Sequence, residues 1–253
     1  MKKTSFLLVL AVTASTLIFQ SCSGKSKADL QNPTSQSNDS ASVASKESGE
    51  DEESESDDKS IAKTGTKDIA ALNFENMQAA FKGETTASAK YAAYSKKAEA
   101  EGYHEIALLF KTASTSEKIH ANNHKAVLED AGQTVPEIKP EFTVNTTKEN
   151  LQDAITGEGY EISTMYPEFI TNANTAGNQL SLISLNYAYK TEKKHKPLYE
   201  QALAALENNT VKSLAKVFYI CPTCGNTYDS NPPKRCGISM TTSEKFIKID
   251  KLS

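Results

Sequence analysis

The feature that most limits how this chain can fold is an internal repeat. Gly83-Glu84 followed by Glu117-x-x-His120 recurs as Gly157-Glu158 followed by Glu192-x-x-His195. The flanks repeat too, with Glu75-Asn76-Met77-Gln78-x-Ala80 reading against Glu149-Asn150-Leu151-Gln152-x-Ala154, so the duplicated unit is a helical hairpin and not a short motif. In each copy a glycine, Gly102 or Gly177, separates the lone Glu from the Glu-x-x-His. It stands roughly 15 to 19 residues from each, and at about 1.5 Å of helix rise per residue a fold back at that point brings the side chains to nearly the same height.

Residues three apart share a helix face. A lone Glu from each of two helices, with Glu-x-x-His from each of the other two, is a set that holds two metal ions: carboxylates bridge or chelate them and imidazoles complete the coordination. Glu84, Glu117, His120, Glu158, Glu192 and His195 fill that set. A single Glu-x-x-His is ordinary solvated helix surface; its repetition on alternate helices is what points to a site. Glu161, three residues after Glu158, faces the same way, where the first copy offers Ala87 and Ser88. One metal position is therefore expected to be richer in carboxylate than the other, the plain alternative being a salt-bridge residue.

Apolar positions at helical spacing predict helices over residues 73–101, 103–131, 146–176 and 178–206. Gly102 and Gly132 stop the first two, and Thr146-x-x-Glu149 has the capping-box spacing that opens the third. Pro167 is expected to bend the third helix and Pro197 to kink the fourth. Residues 133–145 carry Pro136 and Pro140 without helical period and read as a long connection. Two short hairpins joined by one long crossover match the connectivity of ferritin-like bundles. The predicted class is thus mainly α, a four-helix bundle over residues 69–210. A compact β module over 215–253 follows it: Val217-Phe218-Tyr219-Ile220 is strand-like, Cys221-Pro222-Thr223-Cys224-Gly225 is a metal-knuckle spacing, and Phe246-Ile247-Lys248-Ile249 closes a small sheet.

At the other end, Lys2-Lys3, an apolar run from Phe6 to Phe19 and Ser21-Cys22 have the order of an export signal over residues 1–21, and the run is too short to span a membrane comfortably. Cys22 followed by Ser23-Gly24-Lys25 resembles a bacterial lipoprotein cleavage site, where that cysteine is acylated; an ordinary secreted protein or an uncleaved anchor is the alternative. The expectation is an exported, membrane-anchored lipoprotein of the cell envelope or periplasm. Residues 22–68 have almost no large apolar side chain and read as a disordered tether. Its acidic run, Glu47, Glu50, Asp51, Glu52, Glu53, Glu55, Asp57 and Asp58, more than accounts for the net charge of -4. Basic residues are scattered among acids along the helices, which argues against nucleic acid as a partner.

Lys82-Gly83-Glu84, Glu101-Gly102-Tyr103, Ser116-Glu117-Lys118-x-His120, Gly157-Glu158-x-Tyr160-Glu161 and Met165-Tyr166-Pro167-Glu168-Phe169 together resemble the two halves of rubrerythrins, and the tail resembles their rubredoxin-like domain. The resemblance implies a di-iron site that reduces hydrogen peroxide to water in oxidative stress defence. Its ligands would be Glu84, Glu117, His120, Glu158, Glu161, Glu192 and His195, with Tyr91 and Tyr166 as neighbouring phenols, or else as core packing. Family members hold one more iron in the tail with four thiolates. Here the second knuckle is Cys236-Gly237-Ile238-Ser239, so a third ion, iron or zinc, would have Cys221, Cys224, Cys236 and Ser239. A Cys221–Cys224 disulfide is the alternative in an oxidising compartment. The chain carries no flavin or nicotinamide fingerprint, so electron transfer to the site calls for an external donor. A homodimer is expected, and the long connection lets hairpins pair within one chain or swap between two. Two other readings stay open: an iron-binding lipoprotein without significant turnover, and a metal-free scaffold displaying the tail.

Overall fold

A computed structural model describes residues 58–252, with side chains placed from residue 69 onward. The export signal, Cys22 and most of the tether lie outside the described residues. Four long helices form the body: α1 (Asp58–Ala100), α2 (His104–Asp130), a third helix built from α3 (Thr147–Tyr160), a π-helical turn (Glu161–Met165) and α4 (Tyr166–Thr175), and α5 (Gln179–Glu207). α1 takes in residues 58–68, which the sequence reading gave to the tether; that stretch has no proline, so nothing stops the helix from extending upstream. Among the described residues no helix is long and apolar enough to cross a membrane.

The repeat is visible in the backbone. α1 closes at Gly102, φ +85°, with Tyr103 N–H donating to Ala98 O and Gly102 N–H to Glu99 O, both 2.9 Å. α4 closes the same way at Gly177, φ +67°, with Asn178 N–H on Ala173 O and Gly177 N–H on Asn174 O, both 3.0 Å. A left-handed residue after the last turn satisfies the end carbonyls, and glycine adopts it without a Cβ clash. The repeated flanks also occupy equivalent places, since Asn76, Met77 and Ala80 are buried as are Asn150, Leu151 and Ala154. Thr146 and Glu149 form the expected capping box, each side chain accepting from the other residue's N–H.

The two prolines are accommodated in different ways. Before Pro167 the helix widens into the π turn, with Tyr166 N–H reaching back to Glu161 O. An i to i−5 turn takes up one residue where the ring would otherwise clash, and such turns recur at functional sites. Pro197 does not break α5, which runs uninterrupted through it.

The core has two apolar clusters. One centres on Tyr91, Phe110, Leu151 and Tyr199, the other on Met77, Leu128, Tyr166 and Leu185. Along every helix the Glu and His of the repeat fall between residues of the first cluster and residues of the second, so the polar layer is closed above and below by packed hydrocarbon. Each fully buried Leu or Phe contributes about 1.5–3 kcal/mol, which offsets a layer of buried charge that costs several kcal/mol per ion.

The C-terminal module is a three-stranded antiparallel sheet in the order β2-β1-β3, from β1 (Phe218–Ile220), β2 (Thr227–Tyr228) and β3 (Ile247–Ile249). Tyr219 pairs with both Tyr228 and Lys248. β1 and β3 are the strands expected from sequence; β2 is too short to show a pattern.

Candidate metal centre

Six repeat residues meet in the bundle. Glu84, Glu117, His120 and Glu192 form one group, and Glu117, Glu158, Glu192 and His195 form a second, each with ligand atoms within 4.8 Å of one another and every member buried. Glu117 and Glu192 belong to both, and their oxygens divide between the imidazoles. Glu117 sets Oε2 at 2.9 Å from His120 Nδ1 and Oε1 at 3.0 Å from His195 Nδ1. Glu192 mirrors it, with Oε1 at 3.0 Å from His120 Nδ1 and Oε2 at 2.8 Å from His195 Nδ1. Glu84 and Glu158 stand outside this square, at 3.6 Å from His120 and 3.9 Å from His195. Two carboxylates bridging two positions, each with a terminal Glu and a His, is what the pairing of Glu-x-x-His motifs builds.

The outer nitrogens of the histidines are held by the tail. His120 Nε2 lies 3.0 Å from the Cys224 carbonyl and His195 Nε2 lies 3.1 Å from Thr227 Oγ1. A carbonyl can only accept, so His120 carries a proton on Nε2, which makes Nδ1, on the carboxylate side, the nitrogen available to a metal. Ser116 and Thr191, each directly before a Glu-x-x-His, donate to Gly225 O at 2.8 Å and to Cys224 O at 3.2 Å. The paired hydroxyls at Ser116-Glu117 and Thr191-Glu192 were the only sequence sign of this docking, and the sequence reading passed over them.

Docking depends on Gly225. Its φ is +76°, and an added Cβ would overlap His120 Nε2 and come within 2.8 Å of Ser116 Oγ. Gly225→Ala should therefore destabilise the protein by about 1–3 kcal/mol, read as a fall of several degrees in Tm, and should also weaken metal retention.

The phenols are arranged crosswise. Tyr91 on α1 donates to Glu158 Oε1 at 2.9 Å, and Tyr166 on α4 donates to Glu84. Both are buried, so these are site contacts as well as packing. Behind Tyr166 sits His124, which the sequence reading did not single out: its Nδ1 is 2.8 Å from Ser184 Oγ and its Nε2 is 3.5 Å from Tyr166 OH. Burial, and then the charge of His120, push the His124 pKa down to about 3, so this imidazole is neutral. Tyr166→Phe should lower iron affinity or turnover about 10- to 100-fold, the usual range for losing a ligand's supporting partner; chelator competition and single-turnover oxidation measure the two effects.

Glu161 is less closely engaged than expected. It opens the π turn, is half-buried as a residue and stands outside both tight ligand groups. Its carboxyl nonetheless lies in the site's field: burial, and then Glu84, Glu192 and Glu117, push its pKa well up.

Eight ligand atoms are buried with no hydrogen-bond partner: Glu84 Oε2, both oxygens of Glu117 and of Glu192, Glu158 Oε2, and Nδ1 of His120 and His195. The short His–Glu distances above do not have hydrogen-bond angles; the lone pairs converge on common centres instead. A bundle that left these atoms unpaired would bear a desolvation cost for each. The residues present thus fit two cations. Protons partly stand in for them. Burial and neighbouring carboxylates hold Glu158 well above the usual range, and burial lifts Glu84 to about 7 against the pull of His120. Burial opposes charge on His195 but Glu117 and Glu192 raise it to about 10, while Glu192, despite burial, is held at about 2 by His120 and His195.

In the tail the sulfurs of Cys221, Cys224 and Cys236 form a third group within 4.8 Å, all three buried and free, so the Cys221–Cys224 disulfide is not formed.

Fold and site together define a ferritin-like four-helix protein with a buried carboxylate–histidine cluster whose two groups share Glu117 and Glu192. The sequence profile of rubrerythrin matches residues 75–203. Rubrerythrin-2 of Clostridium acetobutylicum is 33% identical over 177 residues, 70% of this chain and 96% of that protein. Nigerythrin of Nitratidesulfovibrio vulgaris is 32% identical over 189 residues, 72% and 88% of the two chains. The fully reduced, all-ferrous structure of nigerythrin superimposes with a TM-score of 0.63 at 30% identity, covering 70% of this chain and 86% of that one. The chain belongs to the rubrerythrin family, whose members are di-iron oxidoreductases.

Proposed function

We propose that this protein is a non-haem di-iron peroxidase that reduces hydrogen peroxide to water outside the cytoplasm, as an exported lipoprotein anchored through Cys22 and acting in oxidative stress defence. The observation that carries the reading is the pair of buried groups sharing Glu117 and Glu192, with their lone pairs turned inward. With two ferrous ions bound there, the site would have the two electrons, one from each, that the conversion of one peroxide and two protons to two waters requires. The chain's own residues do the rest. Glu117 and Glu192 fix the spacing of the two positions, while Glu84 with His120 and Glu158 with His195 hold one position each. Tyr91 and Tyr166 keep their hydroxyl protons, because burial and then the adjacent glutamates push both phenols well up. Each proton is thereby kept at the carboxylate edge of the site. The apolar clusters on either side keep bulk water out.

The donor that re-reduces the site is external to the chain, and the working unit is a homodimer. Three thiols and a serine hydroxyl in the tail fit a third ion, iron or zinc. Anaerobically reduced protein mixed with peroxide or dioxygen tests the peroxidase reading. Oxidation by peroxide much faster than by dioxygen is expected, with one peroxide consumed per two irons oxidised. Oxidation equally slow with both would favour the iron-binding lipoprotein without turnover.

A further inference from the structure

The phenols on the Glu158 side of the bundle do not end at Tyr91. Tyr94 follows three residues later on the same face of α1, with its ring 6.1 Å from that of Tyr91, and Tyr199 of α5 brings its own ring to 5.6 Å from Tyr91. Phe110 lies against all three, at 5.4 to 6.1 Å between ring centres, and all four rings are buried. A continuous aromatic stack therefore starts at Glu158, to which Tyr91 donates at 2.9 Å, and ends at the Tyr94 hydroxyl, which donates to Asp153 Oδ2 at 2.9 Å. Asp153 is exposed, so the stack joins the buried centre to a carboxylate in water.

The three hydroxyls differ in where a proton can go. That of Tyr91 is committed to Glu158, and that of Tyr199 is buried without a hydrogen-bond partner among the described residues. Only the Tyr94 hydroxyl faces a carboxylate that can pass a proton on to solvent. A phenol yields an electron readily when its proton leaves at the same time, because the ring cation formed otherwise is a very strong acid. Lys90 reinforces that coupling: its Nζ stands 5.4 Å from the Tyr91 ring centre and 5.9 Å from that of Tyr94, where its charge opposes a ring cation. Burial, and then Asp153, push the Tyr94 phenol well up, so at rest it holds its proton. The other half of the duplicated bundle has no such outlet. Allowing for the residue taken up by the π turn, Tyr166 is the counterpart of Tyr91, but Phe169 stands in the place of Tyr94 and Ala79 in that of Asp153.

We propose that Tyr94 is a reserve one-electron donor to the bundle centre, connected to it through Tyr91, with Asp153 as the acceptor of its proton. It acts when peroxide meets a centre that holds one ferrous and one ferric ion. Converting one peroxide to two waters takes two electrons and two protons. One electron comes from the ferrous ion, which becomes ferric, and the other from Tyr94. As the Tyr94 O–H bond breaks, the electron goes to the centre and the proton to Asp153, leaving a neutral phenoxyl radical; the two protons that complete the waters come from solvent. The inference rests on the peroxidase reading and adds to it a second source of electrons.

Rapid freezing of the full chain after mixing with peroxide, followed by electron paramagnetic resonance, tests it. Wild type poised with one ferrous and one ferric ion should give a tyrosyl radical, whose splittings collapse when the tyrosine rings are deuterated. Fully reduced wild type, which has both electrons, should give none. Tyr94→Phe with the iron content of wild type should lose the radical, and Asp153→Asn, a surface change, should slow its appearance. An equal radical yield in Tyr94→Phe would overturn the assignment of Tyr94, and an unchanged rate in Asp153→Asn would overturn the role of Asp153. Prompt oxidation of the fully reduced protein with no radical from the half-reduced one would overturn the inference while the peroxidase reading stands. No oxidation of either form by peroxide would overturn the peroxidase reading itself.

Discussion

Glu117→Ala should empty the bundle of both irons, while Glu84→Ala should empty one position and leave the other partly filled. The difference follows from where the oxygens point. Glu117 divides its two between His120 and His195, whereas Glu84 contacts only the His120 side. Removing Glu117 also leaves each imidazole with Glu192 and one more distant carboxylate, Glu84 for His120 and Glu158 for His195, in a buried layer. Oxidation of the reduced protein by peroxide should fall at least about a hundredfold in Glu117→Ala, beyond the range for losing a supporting partner. Iron per chain by elemental analysis and single-turnover kinetics check both parts. Equal iron loss in the two variants would refute the shared-carboxylate geometry.

The second large effect is on pH. Metal must displace protons from imidazole, and His120 lies well above its ordinary value while His195 stands at about 10. Burial opposes both shifts, and Glu192 and Glu117 overcome it. Loading the pair of ions should therefore release at least about two protons, from the imidazoles and in addition from the raised carboxyls of Glu158 and Glu84, and the overall affinity should rise at least about a hundredfold per pH unit through the neutral range. Stability of the metal-free protein runs the other way. A His195 pKa raised from 6.5 to about 10 stabilises the folded state fully below pH 6.5, and this is lost as pH rises through 10. Glu84, raised from 4.5 to about 7, disfavours folding increasingly from pH 4.5 to 7. Glu192, lowered to about 2 from 4.5, adds stability above pH 4.5 that is lost as pH falls through 2. The gap in Tm between loaded and metal-free protein should thus widen from pH 6 to pH 9, as calorimetry in a series of buffers would show. A gap constant with pH would contradict it.

The bundle and the six residues of its buried carboxylate–histidine cluster were legible in the sequence because two signals coincided. Duplication aligned Glu84 with Glu158 and each Glu-x-x-His with the other, and helical spacing put them on inward faces. Glycines at 102 and 177 then fixed the folds. What lay beyond reach was whatever depends on packing between distant segments. Nothing local to Cys224 or Thr227 announces that a carbonyl and a hydroxyl from the tail will orient the two histidines. His124 becomes noticeable only once Ser184 and Tyr166 are beside it. Pro167 was read correctly as a disturbance, but a π turn and a kink have the same one-dimensional signature, and only the backbone distinguishes them.

The tail's grip on His120 and His195 also has a consequence for the order in which the protein is made. All six bundle ligands are synthesised before residue 221, yet the partners that set the outer faces of both imidazoles follow at Cys224 and Thr227. A nascent chain released as far as Asn208 holds every ligand and neither of those two restraints. Iron captured at that stage would meet histidines without those two restraints, so a uniform centre is expected only once the tail has folded back onto the bundle.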